Sequence, residues 1–204
     1  MISPTNVIKM LILFLLLSQV NVCGQNTESK VENKVLSSDD YVLFKNIALE
    51  KANYFFFLMN RIGSKDTPRD SLTYFLDEAD LLFHDSALMQ IRTKDGKTSK
   101  RPVMQYLRRL SQLNYNTLKI DVISAYFVSE LKFVRSNKKG NVLIKEFEGV
   151  IKFVQYFEGK VGDKIIYKDT SEKAMRVHVL INESDIGRTW DVLLGDVDVL
   201  EVNE

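Results

Sequence analysis

The sequence predicts an α+β domain in which three helices, lying towards the amino-terminal side, pack in a curved antiparallel sheet. Three observations lead there. Apolar residues recur at helical spacing as far as Leu113, and they alternate with polar residues from Thr117 onward. Pro68, Pro102, Gly140 and Gly159 fall at the joints between such segments.

The first helix is expected from about Asp39 to Ile62. Ser38 suits its cap, Asp39 and Asp40 suit the positive end of the helix dipole, and Gly63 is a natural stop. Phe44, Ile47, Ala48, Phe55, Met59 and Ile62 share one face. A shorter helix follows Thr67, with Pro68 at its first position and Leu72, Phe75 and Leu76 facing inward. Ala79 to Arg92 is a mixed apolar stretch with room for one or two short strands, and Lys94-Asp95-Gly96-Lys97 is a turn signal. The third helix is expected near Pro102, burying Met104, Leu107, Leu110 and Leu113.

Beyond Asn116 the apolar period becomes two. Leu118, Ile120 and Val122 form one such set, and Phe147, Ile151, Phe153 and Phe157 a second. Met175, Val177, Val179 and Ile181 form a third, and Trp190, Val192 and Leu194 a fourth. Such segments joined by short connections argue for an antiparallel sheet with one buried and one wet face. Lys138-Lys139-Gly140-Asn141 and the stretch from Gly159 to Asp163 are hairpin candidates. In the last strand the apolar parity shifts between Leu194 and Val197, with Gly195 at the break. An inserted bulge residue produces that shift and bends the strand.

The amino-terminal residues 1–24 read as a secretory signal: Lys9, then the unbroken apolar run Met10 to Leu17, then the more polar Ser18, Gln19 and Asn21. The run is shorter than the roughly 20 residues that span a bilayer. Val22 and Gly24 suit cleavage before Gln25, while lipidation of Cys23 is the alternative route, from a poor lipobox. Residues 25–37 are polar and read as a flexible tether, leaving 38–204 as a single domain exported to the periplasm or cell surface.

Formal net charge is +1, and loss of Lys9 with the signal brings it to zero, which argues against a nucleic-acid partner. Cys23 is the sole cysteine, so the mature domain is expected to hold no internal disulfide and no cysteine metal site. With 45% apolar residues, burial alone supplies the core. No cofactor is expected, and no nucleophile elbow, phosphate-binding glycine loop or paired-histidine zinc motif is present.

The element order resembles the nuclear transport factor 2-like superfamily, with its cystatin-like cone. The residues that carry the resemblance are the helical lead Asp39 to Leu76, the helix around Pro102 to Leu113, and the strands Lys145–Phe157, Lys173–Ile181 and Arg188–Val202. The closing Trp190-Asp191-Val192-Leu193-Leu194-Gly195-Asp196-Val197 is similar to exported Bacteroidetes members. The resemblance implies a cone with an open pocket, which in some relatives is an enzyme site and in others binds partners or dimerises. Fold alone does not choose between these.

Alternation places Ser124, Tyr126, Gln155 and Trp190 on the inner face as a candidate ligand pocket, and makes the inner set around Met175 wholly apolar. On that reading no ionisable group points inward, which disfavours acid–base catalysis. Asp80, beside Asp77 and Glu78 and next to an apolar run, is the catalytic candidate, and the resemblance implies for it the role of a base at the cone mouth in a dehydratase or isomerase. His84 and Asp85 make half a metal site that nothing at ligand spacing completes, and no metal is expected. His178 is expected on the outer face with Glu148, Val154, Tyr156, Arg176 and Leu180, a mixture that suits a homodimer contact. Basic residues around the third helix, including Lys100, Arg101, Arg108 and Arg109, suit either solvent or an anionic surface. The reading that results is a non-catalytic exported domain that binds a small apolar ligand or an envelope protein. A small-molecule enzyme and a structural dimerisation module of an envelope assembly are the alternatives.

Overall fold

A computed structural model describes residues 36–92, 97–127 and 129–203. The expected signal, Cys23, most of the tether and the centre of the Lys94–Lys97 turn lie outside the described residues. Among those described, the chain forms α1 (Ser38–Gly63), α2 (Arg69–Asp80), β1 (Leu88–Arg92), β2 (Thr98–Pro102), α3 (Val103–Ser111), β3 (Thr117–Phe127), β4 (Lys132–Lys139), β5 (Val142–Val161), β6 (Lys164–Ser184) and β7 (Gly187–Asn203). The class is α+β, with a seven-stranded sheet ordered β2-β1-β7-β6-β5-β3 and β4 pairing with the other end of β5's free edge. Every strand pair is antiparallel except β1 with β7.

Helix α1 is capped by Ser37, not Ser38: its hydroxyl accepts the Asp40 N–H at 3.1 Å. Leu36 just before it packs on the core, so the tether ends earlier than its composition suggests. Phe44, Ala48, Phe55, Met59 and Ile62 are buried as the periodicity requires, while Ile47 is half-buried. Gly63 is the last helical residue and not a left-handed stop. Its role is close packing, because a Cβ there would sit 2.3 Å from Leu118 Cδ2. Pro68 and Pro102 each occupy the cap position one residue before α2 and α3, where fixed φ and the missing N–H cost nothing.

The sheet is built on two long strands, β5 and β6, of 20 and 21 residues, against a usual length of about 5–6. Glycines with positive φ close the two expected hairpins, Gly140 at 61° and Gly162 at 59°. The expected bulge in β7 is present: Gly195 and Asp196 stand between partners whose counterparts are separated by Arg176 alone. A second break follows Val199. Side chains of neighbouring strands satisfy the displaced backbone. Asp196 Oδ1 accepts Leu88 N–H at 2.9 Å, and Gln90 Oε1 accepts Val199 N–H at 3.1 Å. These bonds fasten the β1–β2 hairpin to β7, where the parallel ladder has one paired position, Met89 with Val197. At the opposite edge Asn60 of α1 acts as a short piece of strand. Its amide donates to Ile120 C=O at 2.6 Å and accepts from Ile120 N–H at 3.1 Å.

The core lies between α1, α3 and the inner sheet face. Phe55 meets Phe83 edge-on at 4.8 Å, and Phe56 meets Phe153 at 4.8 Å. Burying such rings is worth about 1.5–3 kcal/mol each.

Candidate functional site

A cavity of about 470 Å³ opens between α3, the β1–β2 hairpin and the inner face of β5, β6 and β7. Its walls are largely aromatic and aliphatic: Tyr106 and Leu110 from α3, Tyr115 from the connection to β3, Phe157 from β5, and Ile91 from β1. Gly159 makes room for the Tyr115 ring, which a Cβ at that position would strike at 2.7 Å. That size and lining suit a small organic ligand.

The polar groups come from strand alternation. On β6, Tyr167, Asp169, Ser171 and Lys173 share the odd parity of Met175, Val177 and Val179, so they face the same side. Lys173 is buried and donates from Nζ to Gln155 Oε1 at 2.9 Å. Burial pushes its ammonium down to about 8, against the pull of the Asp169 carboxylate. Asp169 accepts the Tyr167 hydroxyl at 2.6 Å. Burial, with Asp169 nearby, pushes the Tyr106 phenol up to about 12, and burial also raises Tyr115. At neutral pH both phenols are therefore neutral donors and Lys173 is mostly charged.

Arg101, Arg92 and Arg109 also line the cavity, so four cationic side chains face one carboxylate, Asp169. The Nε of Arg101 is buried with no hydrogen-bond partner among the described residues. A buried donor left unpaired costs about 1–3 kcal/mol or more. The cavity is thus apolar in its walls and cationic in its polar groups.

Gln155 is where alternation places it, buried in the cavity. The other three expected pocket residues are elsewhere. β3 carries a bulge between Val122 and Ser124, leaving Ile123 as an extra residue. The shift turns Ser124 and Tyr126 outward and brings Ala125 and Phe127 onto the core. Trp190 pairs with Ile181 near the start of β7, away from the cavity-lining Val199, packs edge-on to Phe44 at 5.5 Å and stays part-exposed. The expectation of an inner face without ionisable groups is overturned by Lys173 and Asp169, and by Lys145 on β5. The inner set around Met175 is apolar only on its carboxyl-terminal side. Running its parity back past Lys173 was the available signal, and it fades because the inward residues there are polar.

Asp80 is exposed at the end of α2 and is not among the cavity's lining residues. Of the basic cluster, Arg101 and Arg109 reach the cavity, while Lys100 pairs with Asp198 at 2.6 Å on the surface. Glu148, Val154, Tyr156, Arg176, His178 and Leu180 lie on the outer face, opposite the apolar parity. His178 is less exposed than a surface histidine, because Glu146, Glu148 and the ring of His84 surround it.

A smaller cavity of about 210 Å³ lies beside Leu36, Lys145 and Phe147. Its charges cancel: Lys145 binds Glu183 at 2.5 Å, and Arg188 grips Asp40 with two bonds of 2.9 Å. Among the described residues, no helix is long and apolar enough to cross a membrane. No protein-family model matches the chain and no curated protein matches it, so the chemistry of the larger cavity carries the functional reading.

Proposed function

We propose that this chain is an exported, non-catalytic binding domain of nuclear transport factor 2-like architecture, and that its larger cavity holds a small molecule with an apolar body and an anionic head. The observation that carries the reading is Lys173, an ammonium buried at an aromatic-walled cavity and met by a neutral amide. A charge in that position costs several kcal/mol unless a counter-charge arrives. Arg101, which lines the cavity and whose buried Nε has no hydrogen-bond partner among the described residues, adds a second cation beside the same head group. Three helices beside a bulged, mostly antiparallel sheet support the architecture. Asp80, exposed and outside the cavity, gives the isomerase alternative no support.

Thermal shift and calorimetry with decanoate and 2-naphthoate test the reading, each paired with its uncharged primary amide. The carboxylates are expected to raise Tm and to bind at least about tenfold more tightly than the amides. Lys173→Met is expected to remove that preference. Equal binding of acid and amide, or no binding of either, would overturn the proposal. Turnover of a carbonyl probe that borohydride also traps on Lys173 would instead assign amine catalysis to the cavity.

A further inference from the structure

On the outer face of the sheet, away from the cavity, β5 and β6 bring together Glu146, Glu148 and His178. Glu148 and His178 are direct cross-strand partners, and Glu146 is two residues along on the same face. We propose that these three side chains form a binding site for a single Zn²⁺ ion.

The geometry carries this. One donor atom from each residue lies within 4.8 Å of the other two. His178 Nδ1 is 3.2 Å from Glu146 Oε1 and 3.5 Å from Glu148 Oε1. Tetrahedral zinc with bonds of about 2.0–2.2 Å sets its ligand atoms about 3.3–3.6 Å apart, so the nitrogen stands close to the required separation from each oxygen, and the two oxygens lie within 4.8 Å of one another. Imidazole with carboxylates is a donor set that zinc accepts.

The surroundings hold the ligands in place. Arg135 Nε donates to Glu146 Oε2 at 2.6 Å, which orients that carboxylate and leaves Oε1 facing His178. The side chains of Glu146 and His178 are 8% and 14% exposed, while Glu148 at 34% leaves a path from solvent. Gly195, the bulge residue of β7, lets the His178 ring lie against the backbone, since a Cβ there would fall 2.5 Å from Nε2. The chain's other histidine, His84, stands beside the set, its ring centroid 5.3 Å from that of His178. Its backbone is fixed by an N–H bond to Leu194 C=O at 2.8 Å. Zinc here would fasten β5 to β6 next to the segment that follows α2.

The test is isothermal titration of the untagged, chelator-stripped protein with ZnCl₂, together with Tm in the presence of zinc or EDTA. One equivalent is expected to bind, with a zinc-dependent rise in Tm. Glu148→Gln and His178→Gln should each weaken binding about tenfold or more, and Gly195→Ala by roughly tenfold through displacement of the ring. In EDTA, Glu148→Gln should melt within a few degrees of the parent, which separates loss of a ligand from loss of the fold. No saturable binding at 100 µM zinc, or an affinity unchanged in both ligand variants, would overturn the proposal.

Discussion

The inner face of the sheet buries two lysines, and their surroundings are opposite. Lys145 on β5 donates to the Glu183 carboxylate at 2.5 Å, beside the two-bonded Arg188–Asp40 pair. Lys173 on β6 donates to the neutral amide of Gln155, in a cavity where the Asp169 carboxylate bonds Tyr167 and acts on Lys173 only through space, and where the other cations are Arg92, Arg101 and Arg109. One end of the face is electrically closed and holds the amino-terminal turn of α1 to β7. The other end is left cationic. The difference distinguishes a buried charge that supports the fold from one that depends on a further anion. Breaking the first by removing one partner is destabilising, whereas replacing the second by an apolar side chain relieves a desolvation cost.

The largest expected effect is on the pH dependence of stability. Lys173 sits at about 8 in the folded chain, below the roughly 10.4 of an unfolded lysine. Between those values the unfolded state binds more protons, so stability rises with pH. The gain is on the order of 2 kcal/mol from about pH 7.5 to 9.5. Above about pH 10 the raised Tyr106 phenol works the other way, because the unfolded phenol ionises first. Urea unfolding across this range should show the rise in the parent chain and a flatter profile in Lys173→Met. Equal profiles would break the comparison.

Next in size is a pair of substitutions with opposite signs. Glu183→Gln leaves the Lys145 ammonium with an acceptor but without its counter-charge and is expected to cost about 1–3 kcal/mol. That is less than a fully buried pair would lose, because Glu183 is a third exposed. Lys173→Met should leave Tm unchanged or raise it, with relief of desolvation offset by the lost bond to Gln155. Both are read by thermal melting at pH 7, and a large loss in Lys173→Met would show that its end of the face is closed as well.

The smallest effect is at the rim of the paired end. Arg188→Gln should cost about 0.5–1 kcal/mol, since that ion pair is partly exposed and screened. Arg188 holds Asp40 below its usual value. The contribution is therefore present near neutral pH and lost as pH falls through the depressed value of Asp40. Melting curves of the two chains should converge as pH falls below the usual carboxylate range and in high salt.

Much of the scaffold was legible locally. The inward face of α1, the prolines before α2 and α3, both hairpins and the bulge at Gly195 follow from spacing and from glycine or proline chemistry. β2 and β4 were not legible: TSKRP and KFVRSNKK carry little apolar alternation, because edge strands bury little. The bulge in β3 was missed for a related reason. At Gly195 a glycine marked the parity break, whereas the extra residue in β3 is Ile123, an exposed apolar side chain that looks like any strand residue.

The candidate site was the least legible part. Gln155 could be placed because it continues an apolar alternation, but Lys173, Ser171 and Asp169 lie where that alternation turns polar and resembles a strand end.

By itself the sequence determined the helices, the long strands, the inward faces of their apolar stretches and most of their joints, because side-chain period and backbone preference act over a few residues. Only the tertiary structure decided which charges meet. It brought Lys173 to Gln155, Lys145 to Glu183, and His178 to Glu146 and Glu148. Electrostatic partnership is set by strand register and bulge position, and a shift of one residue moves a side chain to the opposite face.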